Sequence, residues 1–178
     1  VAERAATSGP LVGLPLAPLM HGNSQWAAML NALSGRSTVV SAARKMDTAE
    51  LWRIVAQERV QLINIVGDAQ ARPLIEELER VRDDLDVSSL FVVASGGAIL
   101  SPAVKARFAE LLPSVMLVDG LGASETGYQG VSAGADSQGR PRFSFGEHTI
   151  VLADDGNPTT PGDGVVGRLA RRGFIPLG

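Results

Sequence analysis

The chain has 178 residues, 45% of them hydrophobic, 20% charged and only 4% aromatic, with a net charge of −3. That length suits a globular domain with a real core, and the acidic balance argues against a broad basic face for nucleic acid or an anionic membrane. Without cysteine, disulfide frameworks, thiolate metal sites and cysteine nucleophiles are excluded, and with only two histidines a multi-histidine zinc site is not expected.

From the N-terminus, Glu3 and Arg4 precede an apolar stretch at residues 11–20 that Pro15 and Pro18 interrupt. Neither this stretch nor residues 90–100 reaches the ~18–20 residues a bilayer requires, so no transmembrane segment is expected. The N-terminus does not read as a signal peptide, which points to a cytoplasmic location. Opening on Val1 hints at a piece of something longer.

Residues 23–33 carry apolar side chains at helical spacing, with Asn23 or Ser24 as N-cap, and Trp26 and Met29 on one face read as core. A β-branched run follows at 37–40. Residues 47–58 predict a second helix, capped by Asp47 with Glu50 three residues on and a stripe of Leu51, Ile54 and Val55. A strand at 61–66 ends at Gly67-Asp68, ahead of a helix over 71–82 that Asp68 is placed to cap. The next strand spans 89–94 and stops at Gly96-Gly97. A helix over 102–112 follows, with Ser101 as N-cap and Pro102 in its first position. Strand 115–118 then leads into the turn-rich segment 119–127.

Apolar strands alternating with helices predict an α/β fold, with a parallel sheet covered on both faces. After about residue 130 the character changes. Residues 132–142 are polar and glycine-rich and read as a loop, followed by strands at 149–153 and 165–171 around a turn at 154–157. The expected organisation is an α/β subdomain over 1–131 and a small antiparallel β subdomain over 132–178. Arg168, Arg171 and Arg172 are expected on a solvated strand face. There is no internal repeat.

Ligands of parallel sheets bind at the carboxyl ends of the strands, which singles out Gly67-Asp68, residues 95–97 and residues 119–127. The last of these, DGLGASETG, is the richest. Its glycines let backbone approach a ligand, Ser124 offers a hydroxyl and Glu125 a hard oxygen suited to magnesium. Such a loop can cradle a phosphate while the carboxylate holds the neutralising cation. The plainer alternative is a tight loop whose Ser and Glu cap the next segment. A dinucleotide fingerprint fails because Glu125 stands where its third glycine belongs, and a nucleophile elbow fails at Thr126. Attack on phosphorus demands positioning and charge stabilisation more than a potent base, which suits loops without a strong nucleophile.

The run from Ser95 to Gly127 resembles the central part of the AMP-forming acyl-CoA synthetase family, with its GGA strand end, helix, strand and D-G-x-G-x-S-E loop. Pro18-Leu19-Met20-His21 looks like the family's P-L-F-H segment. PGDGVVGRLARRGFIPLG, from Pro161 to Gly178, looks like its PGE-x-GEL-x-x-x-G strand pair. The resemblance implies a two-step reaction in which a carboxylic acid and ATP give an acyl-adenylate, and CoA then displaces AMP. It implies that Gly96, Gly97 and Ala98 face the adenine and Asp119 meets its amino group, while Gly120, Leu121 and Gly122 line its face. Ser124 would bond the α-phosphate and Glu125 would hold Mg²⁺. His21 would sit where the acyl carboxylate and the thiol meet. Leu121 stands where the family usually has an aromatic residue. VGDA at 66–69 replaces the usual VP, similar to a branch of bacterial ligases acting on long-chain or sterol-derived acids, which makes Gly67 and Asp68 candidate substrate contacts.

The family's phosphate-binding loop would lie before Val1, and its ribose-binding aspartate, hinge and lysine-bearing lid domain after Gly178. The chain therefore reads as a central slice, inactive alone, that works with the rest of its parent enzyme. Two other readings stay open: an adenylating enzyme that loads a carrier-protein thiol, and a non-catalytic nucleotide-binding α/β module.

Overall fold

The computed structural model describes residues 11–137, 141–160 and 162–173. Glu3, Arg4 and Pro161, named above, and the 174–178 end of the chain lie outside them. The chain forms two compact units, one ending at Asp119 and one starting at Gly120.

In the first unit strands and helices alternate: β1 (Val12–Pro15), α1 (Gly22–Leu33), β2 (Ser37–Thr38), α2 (Thr48–Gln57), β3 (Leu62–Ile65), α3 (Gly67–Val81), β4 (Val92–Gly96), α4 (Pro102–Leu111) and the start of β5 (Met116–Ala123). Strand β1 pairs in parallel with β2 on one side and β3 on the other, and β3 pairs in parallel with β4. The order is β2-β1-β3-β4-β5, so the chain steps outward from β1 to β2 and then reverses. Right-handed crossovers then place α1 on one face and α2, α3 and α4 on the other. Consistently, α2 packs on α3 and α3 on α4, whereas α1 packs on β1 and β2.

The core lies between the sheet and the second helical layer. Leu14, Ile63, Ile65 and Val93 from the strands meet Leu51, Trp52, Val55, Leu74, Leu78 and Phe108 from the helices. Burying an aliphatic side chain of this kind is worth about 1.5–3 kcal/mol, so this cluster dominates the unit's stability. Trp52 is fully buried and its Nε1–H donates to Leu74 O at 2.9 Å, which joins α2 to α3 without an orphaned donor.

Several boundaries depart from expectation. The N-cap of α1 is His21, because Asn23 and Ser24 turn inward: Asn23 Nδ2 donates to Gly96 O and Ser24 is fully buried. Helix α1 is also inverted. Asn31 faces the sheet, donating to Thr38 Oγ1, and a Cβ on Gly13 would fall 2.4 Å from Asn31 Nδ2. Trp26 is consequently 38% exposed and Met29 56% exposed, so neither is core. Helix α3 begins at Gly67 rather than residue 71, and Gln70 Oε1 accepts the Val66 N–H in place of an N-cap side chain. Strand β4 starts later than predicted and runs through Ser95 and Gly96. Asp47 and Ser101 do cap α2 and α4, accepting from Glu50 N–H and Val104 N–H.

The second unit is antiparallel. The second half of β5 pairs with β6 (Gly127–Ala135), β6 with β7 (Pro141–Phe145), and β8 (Thr149–Leu152) with β9 (Arg168–Arg171). Of the segment expected as a loop over 132–142, residues 132–135 belong to β6 and 141–142 to β7, while 138–140 lie outside the described residues. Close pairing of β6 with β7 needs a glycine at 130: a Cβ there would lie 2.6 Å from Ser144 O and 2.8 Å from the Phe145 ring. The boundary expected at 131/132 falls within β6, whereas the change to antiparallel pairing begins in β5. Strand β9 is shorter than 165–171, because Asp163 accepts the N–H groups of Thr160 and Val165 and holds that stretch in a turn. Among the described residues no helix is long and apolar enough to cross a membrane.

Candidate functional site

The reversal in strand order puts a topological switch point at the carboxyl ends of β1 and β3, where parallel sheets open a crevice. His21 follows β1, and Gly67 and Asp68 follow β3. His21 is exposed at the head of α1, in extended backbone, with its N–H donating to Pro18 O.

Gly67 is buried, has a φ of +51°, and donates its N–H to Ser95 Oγ at 3.1 Å. The adjoining 98–101 segment presses against it: a Cβ there would sit 2.5 Å from Ile99 O and 2.8 Å from Ala98 Cβ. Asp68 is engaged at three points. Its N–H donates to Ile99 O, Oδ1 accepts the Ser101 N–H at 2.8 Å, and Oδ2 pairs with Arg72 at 2.8 Å. Burial pushes its carboxyl up, but the Ser101 hydrogen bonds and Arg72 outweigh that and hold it below the usual carboxylate range. Asp68 thus caps neither its own helix nor open space; it staples α3 to the start of α4. Gly96 ends β4, its carbonyl taken by Asn23, while Gly97 (φ +85°) and Ala98 are exposed at the sheet edge.

Asp119 sits on β5 rather than in a loop, and is only 9% exposed. Its Oδ2 accepts from Lys105 Nζ on α4 at 2.6 Å.

The segment 119–127, expected to be one long loop, is mostly strand. Gly120, Leu121, Gly122 and Ala123 continue β5 and pair with β6, with a register shift between Leu121 and Gly122. Only residues 124–126 turn. Thr126 N–H closes the turn on Ala123 O and Gly127 follows at φ +69°, the arrangement of a tight turn with a glycine bulge. Gly122 must lack a side chain, since a Cβ would meet Gly127 O at 2.5 Å. Glycines here therefore serve strand pairing, which their composition alone cannot distinguish from loop flexibility. Ser124 and Glu125 stand exposed at the tip, and Glu125 makes no hydrogen bond or ion pair with any described residue.

Arg171 is not on a solvated face. It is half-buried, and its Nη1 donates to Thr126 O at 3.0 Å and Tyr128 O at 2.6 Å, gripping the base of the turn. Arg168 and Arg172 are exposed as expected. A cleft of about 410 Å³ in this unit is lined by Tyr128, Gln129, Phe145, His148 and Arg171 among others. Lys105 went unmarked in the sequence. Lys105 has a readable signal in retrospect: it lies on α4 next to buried Val104 and one turn before buried Phe108, a costly place for a lysine without a partner. Among the described residues no group of three His, Asp or Glu side chains converges on a metal position.

Parallel strands with glycine-rich carboxyl ends beside a strand-order switch define an α/β ligand-binding architecture. A solved amide bond synthetase, McbA from Marinactinospora thermotolerans, shares it with a TM-score of 0.69, covering 94% of this chain and 34% of that one at 19% identity. The chain belongs to the AMP-binding enzyme family, whose model matches residues 4–174. It is 40% identical over 181 residues to a medium/long-chain-fatty-acid–CoA/3-oxocholest-4-en-26-oate–CoA ligase of Mycobacterium marinum, covering 100% of this chain and 32% of that protein. It is likewise 40% identical over 185 residues to a 3-oxocholest-4-en-26-oate–CoA ligase of Rhodococcus rhodochrous, covering 100% and 33%. The chain spans about a third of the length of the curated relatives it matches.

Proposed function

We propose that the chain is the central part of an ATP-dependent acyl-CoA ligase acting on a medium- or long-chain fatty acid or a sterol-derived acid. The observation that carries this reading is the end-to-end 40% identity to ligases of those two acid classes, with the family's motif residues at the strand ends and turn described above.

In the first half-reaction a carboxylate oxygen of the acid attacks the α-phosphorus of ATP, the bond to the bridging oxygen breaks, and pyrophosphate leaves. In the second, the CoA sulfur attacks the acyl carbon of the adenylate and AMP leaves. Backbone at Gly96, Gly97 and Ala98 and the carboxylate of Asp119 hold the adenine, with Gly120, Leu121 and Gly122 against its face. An aliphatic Leu121 packs on the base by dispersion where an aromatic ring would stack. The Ser124 hydroxyl donates to an α-phosphate oxygen.

Glu125 suits Mg²⁺, because an exposed carboxylate with no partner among the described residues is the kind of single ligand that this ion takes alongside phosphates and water. When bound, the ion supplies charge neutralisation at the phosphates. His21 orients the acid's carboxylate near the thiol's approach, and Gly67 and Asp68 keep the neighbouring strand end in place. The exposed apolar side of α1, with Trp26, Met29 and Leu30, offers the hydrocarbon a surface. A cytoplasmic enzyme using soluble ATP and CoA fits this reading.

The test is carboxylate-dependent ATP–pyrophosphate exchange by the complete protein that carries this chain, over short, long and sterol-derived acids. Exchange with long or sterol-derived acids, followed by thioester formation with CoA, is the expected result. Folded protein that binds ATP yet exchanges with no acid refutes it, and thioester formation on a carrier protein but not on CoA refutes the acceptor.

A further inference from the structure

We infer that Lys105 is a positioning residue that sets the nucleobase preference of the site, by fixing Asp119 as a one-sided hydrogen-bond acceptor for a 6-aminopurine. The inference rests on the reading of Asp119 as the adenine contact. Lys105 Nζ lies 2.6 Å from Asp119 Oδ2, and the side chains are only 28% and 11% exposed. No other described donor reaches Asp119, so Oδ2 is occupied and Oδ1 is left to accept.

The pair belongs to one rigid corner of the first unit. Asp119 is on β5, the strand next to β4, and Lys105 is on α4, whose N-terminus is held by Ser101 and stapled to α3 through Asp68. A carboxylate offers only acceptors, which match the amino N–H of a 6-aminopurine and repel the carbonyl of a 6-oxopurine. A lone carboxylate is free to rotate and so presents its acceptors in more than one direction. The ammonium removes that freedom: it occupies one oxygen and holds the carboxylate in one orientation. Surface ion pairs contribute little to stability, but this one is largely desolvated and next to the proposed base, so its main consequence is orientation rather than folding.

The experiment compares ATP with inosine triphosphate in acid-dependent thioester synthesis by the complete protein, for wild type, Lys105→Met, Lys105→Arg and Asp119→Asn. Wild type is expected to favour ATP by about tenfold or more in kcat/KM, the worth of a hydrogen bond to a charged group. Lys105→Met is expected to lose most of that ratio through KM for the nucleotides rather than kcat, and Lys105→Arg, which keeps a cationic donor, to restore it. A folded Lys105→Met protein with an unchanged or larger ATP preference overturns the inference. If Lys105→Met does not fold, Lys105→Arg decides alone: a retained ratio supports it, and a lost ratio in folded protein overturns it. A wild type that does not distinguish the two nucleotides, or an Asp119→Asn protein with the wild-type ratio, overturns the underlying assignment of Asp119 instead.

Discussion

Replacing Gly67 with alanine tests the geometry that joins β3, β4 and α4. Two costs arise together. At φ +51° an L side chain sits in the left-handed region, worth about 1–2 kcal/mol. The new methyl would also fall 2.5 Å from Ile99 O, 2.8 Å from Ala98 Cβ and 2.9 Å from the Ala98 carbonyl carbon. Two of these atoms are backbone, so relief requires moving the 98–101 segment, and overpacking of this kind costs about 1–3 kcal/mol. The sum is about 2–5 kcal/mol. Moving that segment also strains the Asp68 to Ser101 bond and shifts Gly97 and Ala98, so nucleotide affinity falls with stability. Equilibrium urea unfolding of the complete protein, with ATP titration of each variant, measures both. A loss of less than about 1 kcal/mol with unchanged ATP affinity refutes the reasoning, for then neither the left-handed backbone nor the close contact constrains this position.

Trp52→Phe removes the bond to Leu74 O that joins α2 to α3 and leaves a small cavity, a loss of about 2–4 kcal/mol that thermal unfolding reads; a shift within error sinks it. Trp26→Phe, by contrast, is expected to remove the red-shifted part of the tryptophan emission and leave a blue-shifted Trp52 signal, since Trp26 is 38% exposed and Trp52 fully buried. Arg171→Met frees two carbonyls at the base of the 124–126 turn, so limited proteolysis there is expected to accelerate about tenfold, and an unchanged cleavage pattern counts against the clamp. Hydrogen bonds from Ser88 and the Arg59 guanidinium hold Asp86 down to about 2, so its contribution is present above the ordinary carboxylate range and lost as pH falls through about 2. Asp86→Asn is accordingly expected to flatten part of the decline in melting temperature between about pH 4 and pH 2; parallel curves for variant and wild type would rule this out.

The amphipathic stripe of Leu51 and Val55 and the caps at Asp47 and Ser101 were legible because they depend on residues within one or two turns of one another. So were the apolar strands and the parallel class of the first unit, which follow from local periodicity and chain alternation. The order of motifs was enough to find the family, because such motifs are read along the chain. Contacts distant in sequence were not legible. Asn31 against Gly13 inverts α1 and exposes Trp26 and Met29, although their spacing alone reads as a buried face. The glycines of 120–127 read as loop because composition reports permissive backbone, whereas only the pairing partner shows whether that freedom serves a turn or the close approach of two strands. Lys105 and Arg171 become meaningful only once folding brings an Asp119 carboxylate and two turn carbonyls within reach. Local sequence determined the elements and the motif residues. The tertiary structure decided which side of each element is buried and which charges have partners, since both depend on atoms brought together from distant parts of the chain.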